Sequence, residues 1–167
     1  TLKLTEYFVA DMRAYENEGP RRGDFIIFQH NNIEYIKRAI GLPGDRIAFD
    51  RHRPVINGTP VGWRELGTAE FEERRRAVSG ALIEETLENG KSYQVFVSDD
   101  TAQAATTGEY TLGDDQYFVV GDNRANSSDS RYSRSVGGIG MVDRDAIRGK
   151  ANGIVWSREF NRIGNGL

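Results

Sequence analysis

The segment that decides the fold is an alternating stretch that runs into a tight turn: Glu34-Tyr35-Ile36-Lys37-Arg38-Ala39-Ile40-Gly41-Leu42-Pro43-Gly44-Asp45. Successive side chains of a strand point to opposite faces, so Lys37 is expected on the same face as Tyr35 and Ala39. Arg38 is then expected on the other face, together with Ile36. The pattern predicts a β-strand that carries one lysine among apolar neighbours.

Turn residues around this strand indicate antiparallel β structure. Pro43 and Gly44 stand at the central positions of a type II turn, where proline fixes φ and glycine supplies a positive φ. The dipeptides Asn57-Gly58 and Asn89-Gly90 are two-residue hairpin signals. The second of them joins predicted strands at residues 81–88 and 91–97.

The whole chain is predicted to be all-β. Further strands are expected at residues 7–11, 24–29, 34–40, 116–120, 139–142 and 153–156. A helix is predicted at residues 69–77, a run of mixed charges typical of a solvated face. Residues 143–148 are expected to form one short helical turn.

Composition divides the chain into a core and an insertion. Residues 1–48 and 116–160 contain the dense apolar strands, and we assign them to one discontinuous β core. Residues 49–115 are more charged and rich in hairpin signals, and they are predicted to form an inserted β-hairpin subdomain.

Charge and residue usage argue against several classes of function. A net charge of −3 over 167 residues gives no general attraction to nucleic acid, so no nucleic-acid partner is expected. The chain has no cysteine, which removes thiolate catalysis, disulfides and thiolate zinc sites. Its two histidines, His30 and His52, are expected at turns or on the surface, which argues against a Ser-His-Asp triad.

Lys37 has two interpretations on the strand alone. An edge-strand lysine commonly reaches water and blocks aggregation. A desolvated lysine instead has a pKa well below its ordinary value, so that it can be neutral and accept a proton. The strand pattern leaves both open.

A second unusual segment follows an apolar strand directly: Gly121-Asp122-Asn123-Arg124-Ala125-Asn126-Ser127-Ser128-Asp129-Ser130-Arg131. A calcium site could use Asp122, Asn126 and Asp129, but the arginines repel a cation and the EF-hand spacing is missing. Alternatively, the two aspartates and two arginines form interlocked ion pairs that hold the loop rigid. A short hydroxyl such as Ser127 would then be held against another side chain.

Three runs in this order resemble the type I signal peptidases: Arg22-Gly23-Asp24-Phe25-Ile26-Ile27-Phe28, then Tyr35-Ile36-Lys37-Arg38-Ala39-Ile40-Gly41-Leu42-Pro43-Gly44-Asp45, then the loop from Gly121 to Arg131 with Ala125 and Ser128 as its variable positions. The resemblance implies a signal-peptidase-like coiled antiparallel β-sheet core with an inserted β subdomain. It also implies a membrane-associated serine endopeptidase that removes signal peptides from exported preproteins with a Ser–Lys dyad.

The resemblance assigns a role to each matching residue. Lys37 would be the general base, and Ser127 would orient its ammonium group by a hydrogen bond. Leu2, Tyr35 and Ile36 would line shallow pockets for small side chains before the cut. The polar scaffold that supports the site would consist of Arg38, Asp122, Arg124, Asp129 and Arg131. No metal or cofactor is implied.

A fourth box of that family, Ser-Met-x-Pro-Thr-Leu, contains the nucleophile. Thr1-Leu2 resembles the end of this box, so the serine is expected four residues ahead of Thr1, together with the oxyanion donors. The membrane partner would be reached through an N-terminal anchor absent from this sequence. The expected location is the cytoplasmic membrane, with the catalytic domain on the extracytoplasmic (periplasmic) face.

Two alternatives remain beside the general signal peptidase. One is a related peptidase with a narrow substrate, such as a pilin-maturation enzyme. The other is a catalytically inactive homologue that binds peptides, which would have another residue in place of the nucleophilic serine.

Overall fold

The computed structural model describes residues 7–73, 76–98 and 106–156, and these are folded almost entirely as β-strands. The strands are β1 (Tyr7–Asp11), β2 (Phe25–His30), β3 (Ile33–Gly41), β4 (Arg46–Asp50), β5 (Arg53–Ile56), β6 (Thr59–Pro60), β7 (Gly62–Glu73), β8 (Arg76–Thr86), β9 (Ser92–Val97), β10 (Tyr110–Thr111), β11 (Gln116–Val120), β12 (Val142–Asp143) and β13 (Ile147–Trp156). Short 3-10 turns lie at Arg124–Asn126, Arg134–Val136 and Arg144–Ala146.

The strands form three antiparallel sheets. A six-stranded sheet has the order β1-β13-β2-β3-β11-β12, a four-stranded sheet the order β10-β4-β5-β6, and a three-stranded sheet the order β7-β8-β9. The all-β prediction is therefore confirmed. The six-stranded sheet combines strands from both ends of the chain, whereas the division at residues 48 and 116 stays a prediction.

All three turn signals lie at turns, but the one at Asn89-Gly90 is a longer turn from Leu87 to Lys91 and not the predicted two-residue hairpin. Gly44 has φ of +81° and the Asp45 amide donates to the Leu42 carbonyl at 3.0 Å, as a type II turn requires. Asn57 and Gly58 both have positive φ between β5 and β6. Gly90, with φ of +81°, lies in the turn between β8 and β9.

The helix predicted at residues 69–77 is wrong. Its described residues, 69–73 and 76–77, belong to the paired strands β7 and β8, in which Ala69 pairs with Gly80 and Phe71 with Val78. The run also fits a strand, because apolar and charged residues alternate at 69–72. Backbone pairing between β7 and β8 selects the strand conformation over the helix. Local propensity alone does not show this pairing.

The strand limits near the carboxyl end also differ from the prediction. Residues 139–142 form a strand only from Val142, because Gly140 adopts a left-handed φ of +64°. The strand predicted at 153–156 begins earlier, at Ile147, and alternates exposed and buried residues through Ala151. The expected turn at 143–148 appears as the 3-10 turn Arg144–Ala146.

The hydrophobic core lies on both faces of the six-stranded sheet. One buried cluster contains residues of all three sheets. Within it, the Phe118 ring lies 6.0 Å from that of Phe49 and 5.3 Å from that of Tyr110, both in the four-stranded sheet. A second cluster packs on the opposite face around Ile26, Phe28 and the neighbouring strands. Across the described ranges, no helix is long and apolar enough to cross a membrane.

Truncation of Phe118 to alanine should lower the free energy of unfolding by about 3–5 kcal/mol, because its side chain is fully buried between sheets. Urea unfolding measures the change. The control is Val136→Ala, at a side chain 73% exposed, which should change stability by less than about 0.5 kcal/mol. Equal effects of the two substitutions would contradict this description of the core.

Candidate active site

Lys37 lies in the middle of β3 and meets Ser127 from the loop after β11. Its Nζ donates a hydrogen bond to Ser127 Oγ at 2.8 Å, although the two residues are 90 positions apart. Lys37 is half-buried, whereas Arg38, next to it, points to the opposite side of the sheet and is fully buried. The two-faced strand predicted from the alternation is therefore present.

The surroundings of Lys37 lower its pKa. Burial away from water is the largest cause, and the charge of Arg131 adds to it. The carboxylates of Asp129 and Asp122 act in the other direction and favour the charged lysine, but they do not cancel the effect of burial. Of the two interpretations of this residue, the desolvated lysine is the one that the structure supports.

Gly121 provides the space in which Lys37 and Ser127 meet. A Cβ at this position would overlap Ser127 Oγ, and would lie 2.6 Å from Ser127 Cβ and 3.4 Å from Lys37 Nζ. Gly121 also donates its backbone N–H to Asp129 Oδ2 at 3.1 Å. The hydroxyl can approach the ammonium group only because residue 121 has no side chain.

Arg38 and Asp122 form a bidentate ion pair on the other face of β3. Arg38 Nε donates to Asp122 Oδ1 at 2.9 Å and Nη2 to Oδ2 at 2.7 Å, and both side chains are buried. Its remaining Nη1 donates to the Gly23 carbonyl at 2.9 Å. The rings of Phe25 and Tyr93 lie 4.0 Å and 3.8 Å from the guanidinium carbon.

Asp129 and Arg131 form a second bidentate pair, with Nε–Oδ1 and Nη2–Oδ2 distances of 2.9 Å. Burial alone would raise the pKa of Asp129, but the Arg131 charge and several hydrogen bonds, one of them from Ser127, lower it. Asp129 is therefore a carboxylate at neutral pH. Because Ser127 donates its proton to Asp129, its oxygen lone pairs are available to accept from Lys37.

Arg124 pairs outside the loop, with Glu85 on β8. The Nη1–Oε1 distance is 2.6 Å and both side chains are 0% exposed. Arg124 Nε donates to the Gly121 carbonyl at 3.2 Å, and Nη1 to the carbonyl of His52 at 3.1 Å. Ion pairs thus hold the loop, but of Arg38–Asp122, Asp129–Arg131 and Arg124–Glu85 only Asp129–Arg131 has both partners in the loop. His52, expected at a turn or on the surface, lies in the turn between β4 and β5 and is buried.

The carboxylates of the loop are occupied by arginines, which decides against the calcium interpretation. Asp122 and Asp129 each accept two hydrogen bonds from a guanidinium group. Within the part of the chain that the structure describes, no group of three His, Cys, Asp or Glu side chains is arranged to hold a metal ion.

The predicted pocket residues are brought together only in part. Tyr35 is half-buried and stacks on Phe28 with ring centroids 5.8 Å apart. Ile36 is half-buried on the other face, against Phe25 and its neighbours. Leu2 lies outside the described residues.

One edge of β3 is open beside Lys37. β2 pairs with β3 from Ile33 to Arg38, whereas β11 pairs with β3 only from Arg38 to Gly41. Of the strands that the structure describes, none pairs with residues 33–37 on the edge away from β2. The backbone beside Tyr35 and Ile36 can therefore accept an added strand.

Sequence reasoning missed Glu85 and Tyr93. A signal was present, because Glu85 alternates with Ile83 and Leu87, which marks it as facing the core. A carboxylate at a core position requires a partner. The partner, Arg124, is 39 residues away, and nothing in the local sequence identifies it.

Comparisons with known proteins agree on one family. The family model described as "Signal peptidase, peptidase S26" matches residues 1–156. Signal peptidase I of Rickettsia typhi is 34% identical over 157 residues, which cover 89% of this chain and 56% of the relative. Signal peptidase I of Pseudomonas fluorescens is 33% identical over 151 residues, covering 86% of this chain and 51% of the relative.

The chain thus spans about half the length of the curated relatives it matches. A crystal structure of a signal peptidase I from Enterococcus faecalis V583 matches with a TM-score of 0.44 and 26% identity. This match covers 80% of this chain and 97% of that chain.

Replacing Gly121 with alanine should raise the pKa of Lys37 toward the ordinary lysine value of 10.5. The new methyl group displaces Ser127 and admits water beside the ammonium group, which weakens the desolvation that lowers the pKa. NMR titration of the lysine side chains measures the change. Gly108→Ala, at a position with open space around it, is the control. An unchanged Lys37 titration in Gly121→Ala would show that the close packing is not required.

Proposed function

This chain belongs to the signal peptidase family, peptidase S26, and from that premise we propose that it is the catalytic part of a membrane-associated serine endopeptidase. Its substrates are exported preproteins, from which it removes the signal peptide. The observation that carries the proposal is the hydrogen bond from the desolvated Lys37 to Ser127 at 2.8 Å.

Lys37 is the general base of the proposed reaction. In its neutral form it takes the proton of the nucleophilic serine as that oxygen attacks the peptide carbonyl, and it later protonates the leaving amine. The serine comes from the family's Ser-Met-x-Pro-Thr-Leu box, four residues ahead of Thr1 in the full-length protein. Oxyanion donors belong to the same segment.

Ser127 positions the base. Its hydroxyl donates to Asp129 and accepts from Lys37, so the lysine side chain is held in one direction in both protonation states. Asp129 in turn is held by Arg131, and Gly121 by Asp129. These residues support the geometry of the site and need not touch the substrate.

The substrate adds as an extended strand along the open edge of β3. Backbone hydrogen bonds beside Tyr35 and Ile36 supply affinity, and shallow pockets supply the preference for small side chains. Leu2, Tyr35 and Ile36 are the residues proposed to line those pockets. This arrangement brings the peptide to be cut next to Lys37.

The proposed location follows from the family. An N-terminal anchor of the full-length protein holds the enzyme in the cytoplasmic membrane, with the catalytic core on the extracytoplasmic face. Preproteins emerging through the membrane reach the site there. The catalytically inactive homologue is an outcome of the test below.

Substitution of Lys37 by methionine in the full-length protein should lower preprotein cleavage by about 10³-fold or more, because the base is lost while the side chain's volume is kept. Cleavage of a purified preprotein is followed by gel shift, with circular dichroism to check folding.

The matched control for that experiment is Lys91→Met. Lys91 is also half-buried, and burial is the main cause that lowers its pKa. Its Nζ lies 4.0 Å from Asp24 Oδ1, whereas that of Lys37 donates to Ser127. It should retain nearly full activity. Retained cleavage in Lys37→Met, or an inactive wild-type protein with a residue other than serine at the nucleophile position, would refute the proposal.

The cleavage rate should rise with pH as Lys37 loses its proton, because only the neutral amine accepts the serine proton. Burial lowers the pKa of Lys37, so the acid limb of kcat/KM should lie below the ordinary lysine value of 10.5. The measurement is kcat/KM as a function of pH, over the range in which the enzyme stays folded. An acid limb at the ordinary lysine pKa would contradict a desolvated base.

A further inference from the structure

Glu85 and Tyr93 are cross-strand partners on the β8–β9 hairpin; Glu85 contacts Arg124 in the loop after β11, and Tyr93 contacts Arg38 on β3. Glu85 is directly opposite Tyr93 in the register of the two strands. Both are buried, on the face that also carries Ile83 and Val95. The hairpin therefore places one carboxylate and one aromatic ring against the polar scaffold of the candidate site.

Glu85 acts on the loop through Arg124. The ion pair between them is completely buried, with an Nη2–Oε2 distance of 2.7 Å beside the contact already described. Arg124 uses its Nε to hold the Gly121 carbonyl. Its own carbonyl accepts from Arg131 Nη2 at 3.0 Å. Glu85 is thus two contacts from the glycine against which Ser127 and Lys37 pack.

Tyr93 acts on β3 through Arg38. Its ring lies 3.8 Å from the Arg38 guanidinium carbon, a distance typical of a strong cation–π contact. Among the described residues, no group hydrogen-bonds the buried Tyr93 hydroxyl. The contact of Tyr93 with the site is therefore made by the ring and not by the hydroxyl.

The hairpin is also tied to the loop by its backbone. The Phe96 N–H donates to the Asp122 carbonyl at 2.8 Å, and Phe96 forms an isolated parallel bridge with Asn123. Asp122, Asn123 and Arg124 are thus each held by a residue of β8 or β9. The hairpin therefore contacts the loop through backbone hydrogen bonds as well as through the buried Glu85–Arg124 ion pair.

We propose that Glu85 and Tyr93 are positioning residues of the peptidase. Through them, the β8–β9 hairpin keeps Ser127 and Lys37 within hydrogen-bonding distance of each other. This inference rests on the proposed function. The charges that act directly on Lys37 are those of Asp129, Arg131 and Asp122. A change at Glu85 therefore reaches Lys37 through the position of Gly121 and Ser127.

The test uses the full-length protein with Glu85→Gln, compared with Glu84→Gln. Glu84 is the neighbouring residue on the opposite face of β8, where it pairs with the exposed Arg64. All rates are measured below the unfolding temperature of every variant, so that a loss of stability alone leaves them unchanged.

Glu85→Gln should lower kcat by about 10- to 100-fold with little change in KM, because a shift of the site by about an ångström is enough for such a loss. The acid limb of the pH profile should move to higher pH, since water reaches Lys37. Glu85→Asp, which keeps the charge, should recover part of the activity. Glu84→Gln should behave as wild type.

Tyr93 provides a second pair of variants that does not depend on the folding of Glu85→Gln. Tyr93→Phe keeps the ring over Arg38 and should retain wild-type kcat and pH profile. Tyr93→Leu removes the ring and should lower kcat. Equal activity of the two would overturn the role of Tyr93.

An NMR titration of Lys37 in Glu85→Gln separates this inference from the proposed function. A raised Lys37 pKa supports positioning whether or not the protein cleaves preproteins. If Lys37→Met keeps its activity, the proposed function fails while the titration still decides the inference. An unchanged titration and kcat in folded Glu85→Gln would reduce Glu85 to a structural ion pair and overturn the proposal.

Discussion

Buried guanidinium groups must each be matched by a carboxylate, and this requirement organises the whole site. A charge left alone in a dry interior is strongly destabilising. Arg38, Arg124 and Arg131 each meet that requirement with a different carboxylate, from β8 or from the loop itself. Because each pair also hydrogen-bonds nearby backbone, the loop can adopt only a narrow range of positions.

The same requirement explains why burial lowers the pKa of Lys37 although two aspartates lie in its surroundings. The aspartates whose charges act on it, Asp122 and Asp129, are already neutralised by arginines. Their pull on the lysine proton is therefore weak compared with the effect of burial. A lysine beside unpaired carboxylates would instead have a higher pKa, because their charges would favour its protonated form more strongly. The ion pairs thus contribute to the chemistry of the site as well as to its shape.

The sequence predicted the parts of the molecule that local chemistry controls. The faces of β3 follow from alternation, and the turns at Gly44, Gly58 and Gly90 follow from the φ that each requires. The pairing of Lys37 with Ser127 was expected only from the resemblance to a family, since the residues are 90 positions apart. Local pattern could not show it.

Two features remained beyond the sequence for a physical reason. The β7–β8 hairpin has a composition that suits helix and strand alike, and only the pairing of the two strands selects one. Glu85 is recognisable as a buried acid, but its partner depends on which face of β8 meets the loop. Both answers are properties of the assembled sheets rather than of any short segment.

The strand order of the six-stranded sheet determines which of its strands can pair first while the chain is being synthesised. β13 lies between β1 and β2, so β1 cannot join this sheet until residues 147–156 have left the ribosome, whereas β2, β3 and β11 can pair without them. Contacts between such distant parts of a chain form slowly compared with local hairpins. The pairing of β3 with β11 does not involve β13, so the lysine and its serine partner can come together before β1 is in place.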